Sequence, residues 1–197
     1  MRLLYSALSP FARKVRIVAH ENGFTDAIVL ETVAPFTDES LRVTNPLSQV
    51  PTLILDDGEI LFDSSVICDH LDAEGGAGLI PAAGKDRRRA LTLQALADGM
   101  GSAAVAAVRE RMRPADDQRS ELIERQLKAI IAGLDLLESE GFSDARWGIA
   151  EIAVAAQLAY FDVRKVIDWR DERPALSAWF EAASRREAMI VTSAPLA

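Results

Sequence analysis

The stretch PTLILDDGEILF, Pro51 to Phe62, holds two short apolar runs on either side of Asp56-Asp57-Gly58. An Asp-Gly pair between apolar runs marks a tight hairpin, because glycine accepts the positive φ that such a turn demands. The stretch therefore predicts an antiparallel pair, Pro51–Leu55 with Glu59–Phe62. Upstream, Arg2–Ser6 is short and apolar and reads as a strand. Pro10–Asn22 reads as a helix, with Phe11, Val15 and Val18 on one face and Gly23 closing it. Ala27–Thr32 is β-branched and apolar, a second strand. A strand, a crossover helix and a strand make a parallel unit. Asp38–Thr44 reads as a short helix. Ser64–Glu74 follows the hairpin as a longer one, with Val66, Ile67, His70 and Leu71 on its inner face. The result is a mixed four-stranded sheet flanked by helices.

Beyond it the pattern changes. Gly75-Gly76-Ala77-Gly78 is linker-like in composition. Everything after it reads as helix: Asp86 to about Arg113, Asp116–Glu140, Ile149–Val166, and a further helix begun by Pro174 at a position where its missing N–H costs nothing. The fold class is α+β followed by α. The expected domains are residues 1–75, a linker at 76–85, and an all-α domain at 86–197.

The chain has 197 residues, 49% hydrophobic and 26% charged, with 22 Lys and Arg against 30 Asp and Glu, a net charge of −8. That balance disfavours nucleic acid and anionic membranes, both of which attract basic surface. Residues 1–75 carry 5 Lys and Arg against 12 Asp and Glu, so any anion bound there needs a local source of positive potential. The single cysteine, Cys68, excludes an internal disulfide and a cysteine-rich metal site, and fits a reducing cytoplasm. The apolar start Met1-Arg2-Leu3-Leu4 is broken too early for a signal peptide. No uninterrupted apolar run reaches the roughly 18 residues of a membrane span.

Four short motifs stand out. In LSPFARKV (8–15), Ser9 caps a helix and Pro10 takes its first position. The same geometry offers unpaired N–H groups and a positive dipole end to a thiolate or carboxylate. In QVPT (49–52), Pro51 either simply starts a strand or follows a cis bond that would turn the N–H and C=O of Val50 outward toward an extended ligand. In DSS (63–65), Asp63 and Ser64 make a good cap, or hold an ammonium and a carboxylate. In WGIAEI (147–152), Gly148 and Glu151 frame a helix start, with Trp147 stapled to Ile152. That fourth motif is a folding device.

Taken together, SPFARKVR, NPLSQVPTL, DSSVICDHL and GIAEIAVA, in this order and at these separations, resemble a cytosolic glutathione S-transferase of the bacterial, serine-containing type. The resemblance runs over essentially the whole chain. It implies a thioredoxin-like first domain and that family's helical second domain. It implies that Ser9 is the catalytic hydroxyl, hydrogen-bonded to the glutathione thiolate. Val50, before a cis Pro51, would pair with the cysteinyl part of glutathione. Asp63 and Ser64 would hold its γ-glutamyl end and Gln49 its glycyl end, with Phe11 and Arg13 near the sulfur. The second substrate would lie between the domains against the first long helix, near Met100, Val105 and Arg109. Partners would be glutathione as co-substrate, a small hydrophobic electrophile and a second copy of the chain, with no metal.

The implied activity is transfer of the thiolate to that electrophile, the chemistry of detoxification. Two alternatives stay open: a glutathione-dependent isomerase or peroxidase on the same fold, and a non-catalytic binding or regulatory protein. Disulfide exchange is disfavoured because Ser9 stands where relatives of that kind carry cysteine. Ser6 is a rival hydroxyl three residues upstream. Tyr5 is a weaker rival, since it falls inside the first strand.

Overall fold

The structure is a computed structural model that describes residues 1–143 and 145–193. Its contacts divide it into two units. The first takes residues 1–87 together with the segment from Glu187, and the second takes Arg88–Arg186.

In the first unit the hairpin forms as β3 (Thr52–Ile54) and β4 (Ile60–Leu61), with Gly58 at φ 91° in the turn. β1 (Arg2–Tyr5) pairs antiparallel with β3 and parallel with β2 (Val29–Thr32), giving the order β2-β1-β3-β4. Leu3 lies opposite Leu53 and both are fully buried, because β1 and β3 are the central strands. β2 is an edge strand and leaves Val29 and Leu30 exposed. The strands are shorter than their apolar runs, as their ends bend into turns.

Helix α1 (Pro10–Glu21) packs against α3 (Ser64–Gly75), and the short α2 (Leu41–Thr44) lies between β2 and β3 in sequence. α1 buries Ala12, Val15, Ile17 and Val18. It also buries Lys14 completely, a residue whose charge places it on the outer face by pattern alone. The inner face of α3 is Ile67, Cys68, Leu71 and Asp72, with Val66 half exposed. This corrects the expected face by a part-turn, and the reason is chemical. Asp72 accepts hydrogen bonds from the N–H groups of Leu79 (2.9 Å) and Ile80 (2.8 Å), so a carboxylate is drawn inward to the linker amides. Gly76, at φ 73°, ends α3 in a left-handed cap.

The second unit is helical. It holds most of α4 (Gly84–Arg111), α5 (Ser120–Glu140), α6 (Ile149–Val163) and α7 (Pro174–Ala183), with one short 3-10 turn at Ala115–Asp117. α6 is buried without interruption from Ile149 to Ala159. At its start the Glu151 carboxylate accepts from the Gly148 N–H at 3.1 Å, and glycine has no side chain to return the bond, so the box has one arm. α4 contains an 18-residue window of mean hydropathy 1.3, long and apolar enough to cross a membrane by composition. Half of that window is buried inside the protein, which suits a core helix equally well.

α4 and α6 approach closely at Gly101. A methyl group there would overlap Gln157 Oε1, and Gln157 is fully buried. Gly101→Ala is therefore expected to lower stability by about 1–3 kcal/mol through overpacking. Adding Gln157→Ala should recover much of the loss, a coupling that a double-mutant cycle of urea unfolding would read.

A last helix, α8 (Glu187–Val191), has no counterpart in the sequence reading. It groups with the first unit rather than with the helices that it follows in the chain.

Candidate active site

The sheet order gathers the three motifs of the first unit at one edge. β1 ends at Tyr5 and leads to Ser9, at the N-terminus of α1. β3 runs antiparallel to β1, so its start, Val50-Pro51, lies at the same end. β4 runs antiparallel to β3 and delivers Asp63-Ser64, at the N-terminus of α3, to that end again. Two helix N-termini and one strand start thus share an edge, where unpaired N–H groups collect.

Ser9 is half-buried and in extended backbone, as a cap should be. Its Oγ accepts the Ala12 N–H at 3.2 Å, and its C=O accepts the Arg13 N–H at 3.0 Å. The capping bond uses the oxygen as an acceptor only. A hydroxyl keeps one O–H to donate, so the cap and a donor to a thiolate are compatible roles for one residue. Ser6 lies outside the helix and uses its C=O to accept the Ser9 N–H at 2.9 Å. The Tyr5 ring lies beneath the Arg16 guanidinium, 5.4 Å from its centroid.

Three of the five Lys and Arg of residues 1–75 are Arg13, Lys14 and Arg16 on α1, and no acid stands in its first turn. Burial, then repulsion by Arg16, lowers Arg13 to about 10, and burial lowers Arg16 as well.

The Val50–Pro51 peptide is cis, and among the described residues no hydrogen bond reaches the N–H or C=O of Val50. Asn45 was not singled out from sequence, yet it shapes this loop. It is buried, and its Nδ2 donates to Gln49 O (3.1 Å) and Thr52 Oγ1 (3.0 Å) while its Oδ1 accepts the Leu47 N–H. Asparagine before proline reads as an ordinary turn residue, which hid this role. The Gln49 side chain is exposed.

Asp63 follows a second cis peptide, Phe62–Asp63, and its Oδ1 accepts the Ser65 N–H at 2.9 Å. Asp63 is exposed, and Ser64 is buried beside it. Phe11 is half-buried on the first turn of α1. Arg13 turns its guanidinium to the Met189 C=O of α8 at 2.9 Å.

The three residues proposed from α4 divide. Met100 is buried with its Sδ against Gly133 of α5. Val105 is half-buried, and Arg109, one turn on, lines an open depression with Ala106, Glu110 and Arg113. Among the described residues no cluster of His, Cys, Asp or Glu has the form of a metal site.

Comparison with known proteins places the chain in a family. The family model described as glutathione S-transferase, N-terminal domain, matches residues 8–74, and that for the C-terminal domain matches residues 120–182. The GST-like protein YibF of Escherichia coli (strain K12) is 33% identical over all of both chains. A glutathione transferase family member from Pseudomonas fluorescens Pf-5, solved with bound glutathione, is 37% identical, covers 98% of each chain and superposes with a TM-score of 0.94. A glutathione S-transferase from Methylobacillus flagellatus KT, also with glutathione bound, is 36% identical over 98% of each chain, with a TM-score of 0.86. The chain belongs to the glutathione S-transferase family.

Proposed function

We propose that the protein is a glutathione transferase in which Ser9 activates the thiol of bound glutathione for attack on a small hydrophobic electrophile. The observation that carries this reading is the Ser9 hydroxyl, which caps α1 as an acceptor and keeps its proton for the thiolate. The N–H and C=O of Val50 would pair with the cysteinyl backbone of the ligand, as successive strands pair in a sheet. Asp63, Ser64 and the first amides of α3 would receive the γ-glutamyl ammonium and carboxylate, and Gln49 the glycyl end. Bound glutathione in the relatives from Pseudomonas fluorescens and Methylobacillus flagellatus supports the same ligand here.

The magnitudes suffice without a buried base. A free cysteine thiol has a pKa near ~8.5. A hydrogen bond made only to the thiolate contributes about 1.5–3 kcal/mol, or roughly one to two pKa units. The helix dipole adds about 0.3–1 kcal/mol. The electrophile is then attacked by sulfur, the new C–S bond forming as the leaving group departs with its electron pair. A homodimer in the cytoplasm goes with this reading, on the family resemblance and the single cysteine.

The test is thiolate absorbance of bound glutathione against pH, followed by turnover with halogenated aromatics, dienoic acids and organic peroxides. A thiol titrating about one to two units below the free value, with turnover of the aromatics, is the expected result. Absence of glutathione binding at millimolar concentration would retire the reading.

A further inference from the structure

α8 ends within reach of two arginines from the other end of the chain. Arg13 Nη2 donates to Met189 O at 2.9 Å, while Arg16 donates to Thr192 O at 3.3 Å and Val191 O at 3.4 Å. The last carbonyls of a helix have no partner within it, and cationic donors satisfy both their hydrogen bonds and the negative dipole end. A five-residue helix has little stability of its own. Ala188, Met189 and Thr192 are nonetheless buried, with Thr192 Oγ1 donating to Ala188 O. Among the described residues the Met189 bond is the one hydrogen bond of the Arg13 side chain, whose Nε is buried without a partner.

Arg13 is also the residue whose main-chain N–H holds the Ser9 C=O, beside the Ala12 N–H that holds Ser9 Oγ. One residue therefore joins the first turn of α1 through its backbone and the end of α8 through its side chain. We infer that Arg13 is a positioning residue that ties the Ser9 turn to the C-terminal helix, with Arg16 as the second point of the tie. The consequence for the thiolate rests on the reading of Ser9 given above. The tie itself does not.

Amide hydrogen exchange on the full chain, without glutathione, tests it for the native protein, Arg13→Met and Arg13→Lys. In Arg13→Met the amides of Ala12, of residue 13 and of α8 should all exchange about tenfold faster, while those of β1 and β3 keep their native rates. Lysine retains a charge and a donor for the Met189 carbonyl, so Arg13→Lys should stay within about threefold of native. If Arg13→Met does not fold, Arg16→Met takes its place, with Ala12 and α8 expected to loosen together. Faster exchange in α8 with Ala12 unchanged, or an equal rise at every amide of the unit, overturns the inference. With glutathione added, the thiol pKa should rise in Arg13→Met and not in Arg13→Lys. Failure of the native protein to bind glutathione sinks the transferase reading alone, since the exchange result is independent of it.

Discussion

Replacing Ser9 with glycine is expected to raise the thiol pKa of bound glutathione to about 8.5, the free value, from about 6.5–7.5 in the native protein. Glycine is the informative substitution because it caps a helix almost as well as serine, whereas alanine loses about 0.5–2 kcal/mol of stability at the same position. The two variants therefore separate the two roles. Ser9→Gly removes the hydroxyl and leaves the start of α1 nearly intact. Both variants lose the hydroxyl and its bond to the Ala12 N–H, but only Ser9→Ala also carries the larger loss of cap stability. At pH 7 a shift from about 7 to about 8.5 cuts the thiolate from roughly half to a few per cent, so turnover should fall roughly tenfold in both. Raising the pH above 9 should restore most of it. Ser9→Thr keeps a hydroxyl and a cap and should titrate like the native protein. An unchanged thiol pKa in Ser9→Gly would turn attention to Ser6.

The second large effect is expected at Asp72, and it concerns stability. Its two carboxylate oxygens accept the N–H groups of Leu79 and Ile80, in a residue that is 7% exposed. Leu79 and Ile80 are themselves buried, so water does not replace a lost acceptor readily. An unsatisfied buried donor costs about 1–3 kcal/mol, and Asp72→Ala leaves two. The expected loss is about 2–5 kcal/mol, a large share of the roughly 5–15 kcal/mol that holds a domain folded. Asp72→Asn keeps one acceptor oxygen and should lose about half as much. Urea unfolding reads this as a lower midpoint with an unchanged slope. A loss below about 0.5 kcal/mol for Asp72→Ala would mean that the linker amides reach solvent.

The contrast between these residues shows what could be read from the chain. Ser9, Pro51 and Asp63 were legible because each punctuates an element: a cap, a strand start, a cap. Local chemistry announces such positions, and the order of strands then follows from one hairpin and one crossover. Asp72 was not legible, since an acid in the last turns of an amphipathic helix looks like solvated surface. Its partners are seven and eight residues away and declare nothing in their own side chains. Lys14 and Gln157 escaped notice in the same way, as polar residues that tertiary packing buries. α8 was missed for the opposite reason. It has only five residues, and the donors that hold it lie about 175 positions upstream. No window short enough to show periodicity could contain both.

The return of α8 to the first unit has a bearing on biosynthesis. Synthesis delivers the β1-α1-β2 segment first, and such units ordinarily fold as they emerge, N-terminal ones leading. Here Arg13 and Arg16 wait for carbonyls at positions 189, 191 and 192. Their partners leave the ribosome only after every helix of the second unit has been made. The unit that is started first is thus finished last, and a nascent chain stalled before Glu187 would display two arginines with nothing to cap.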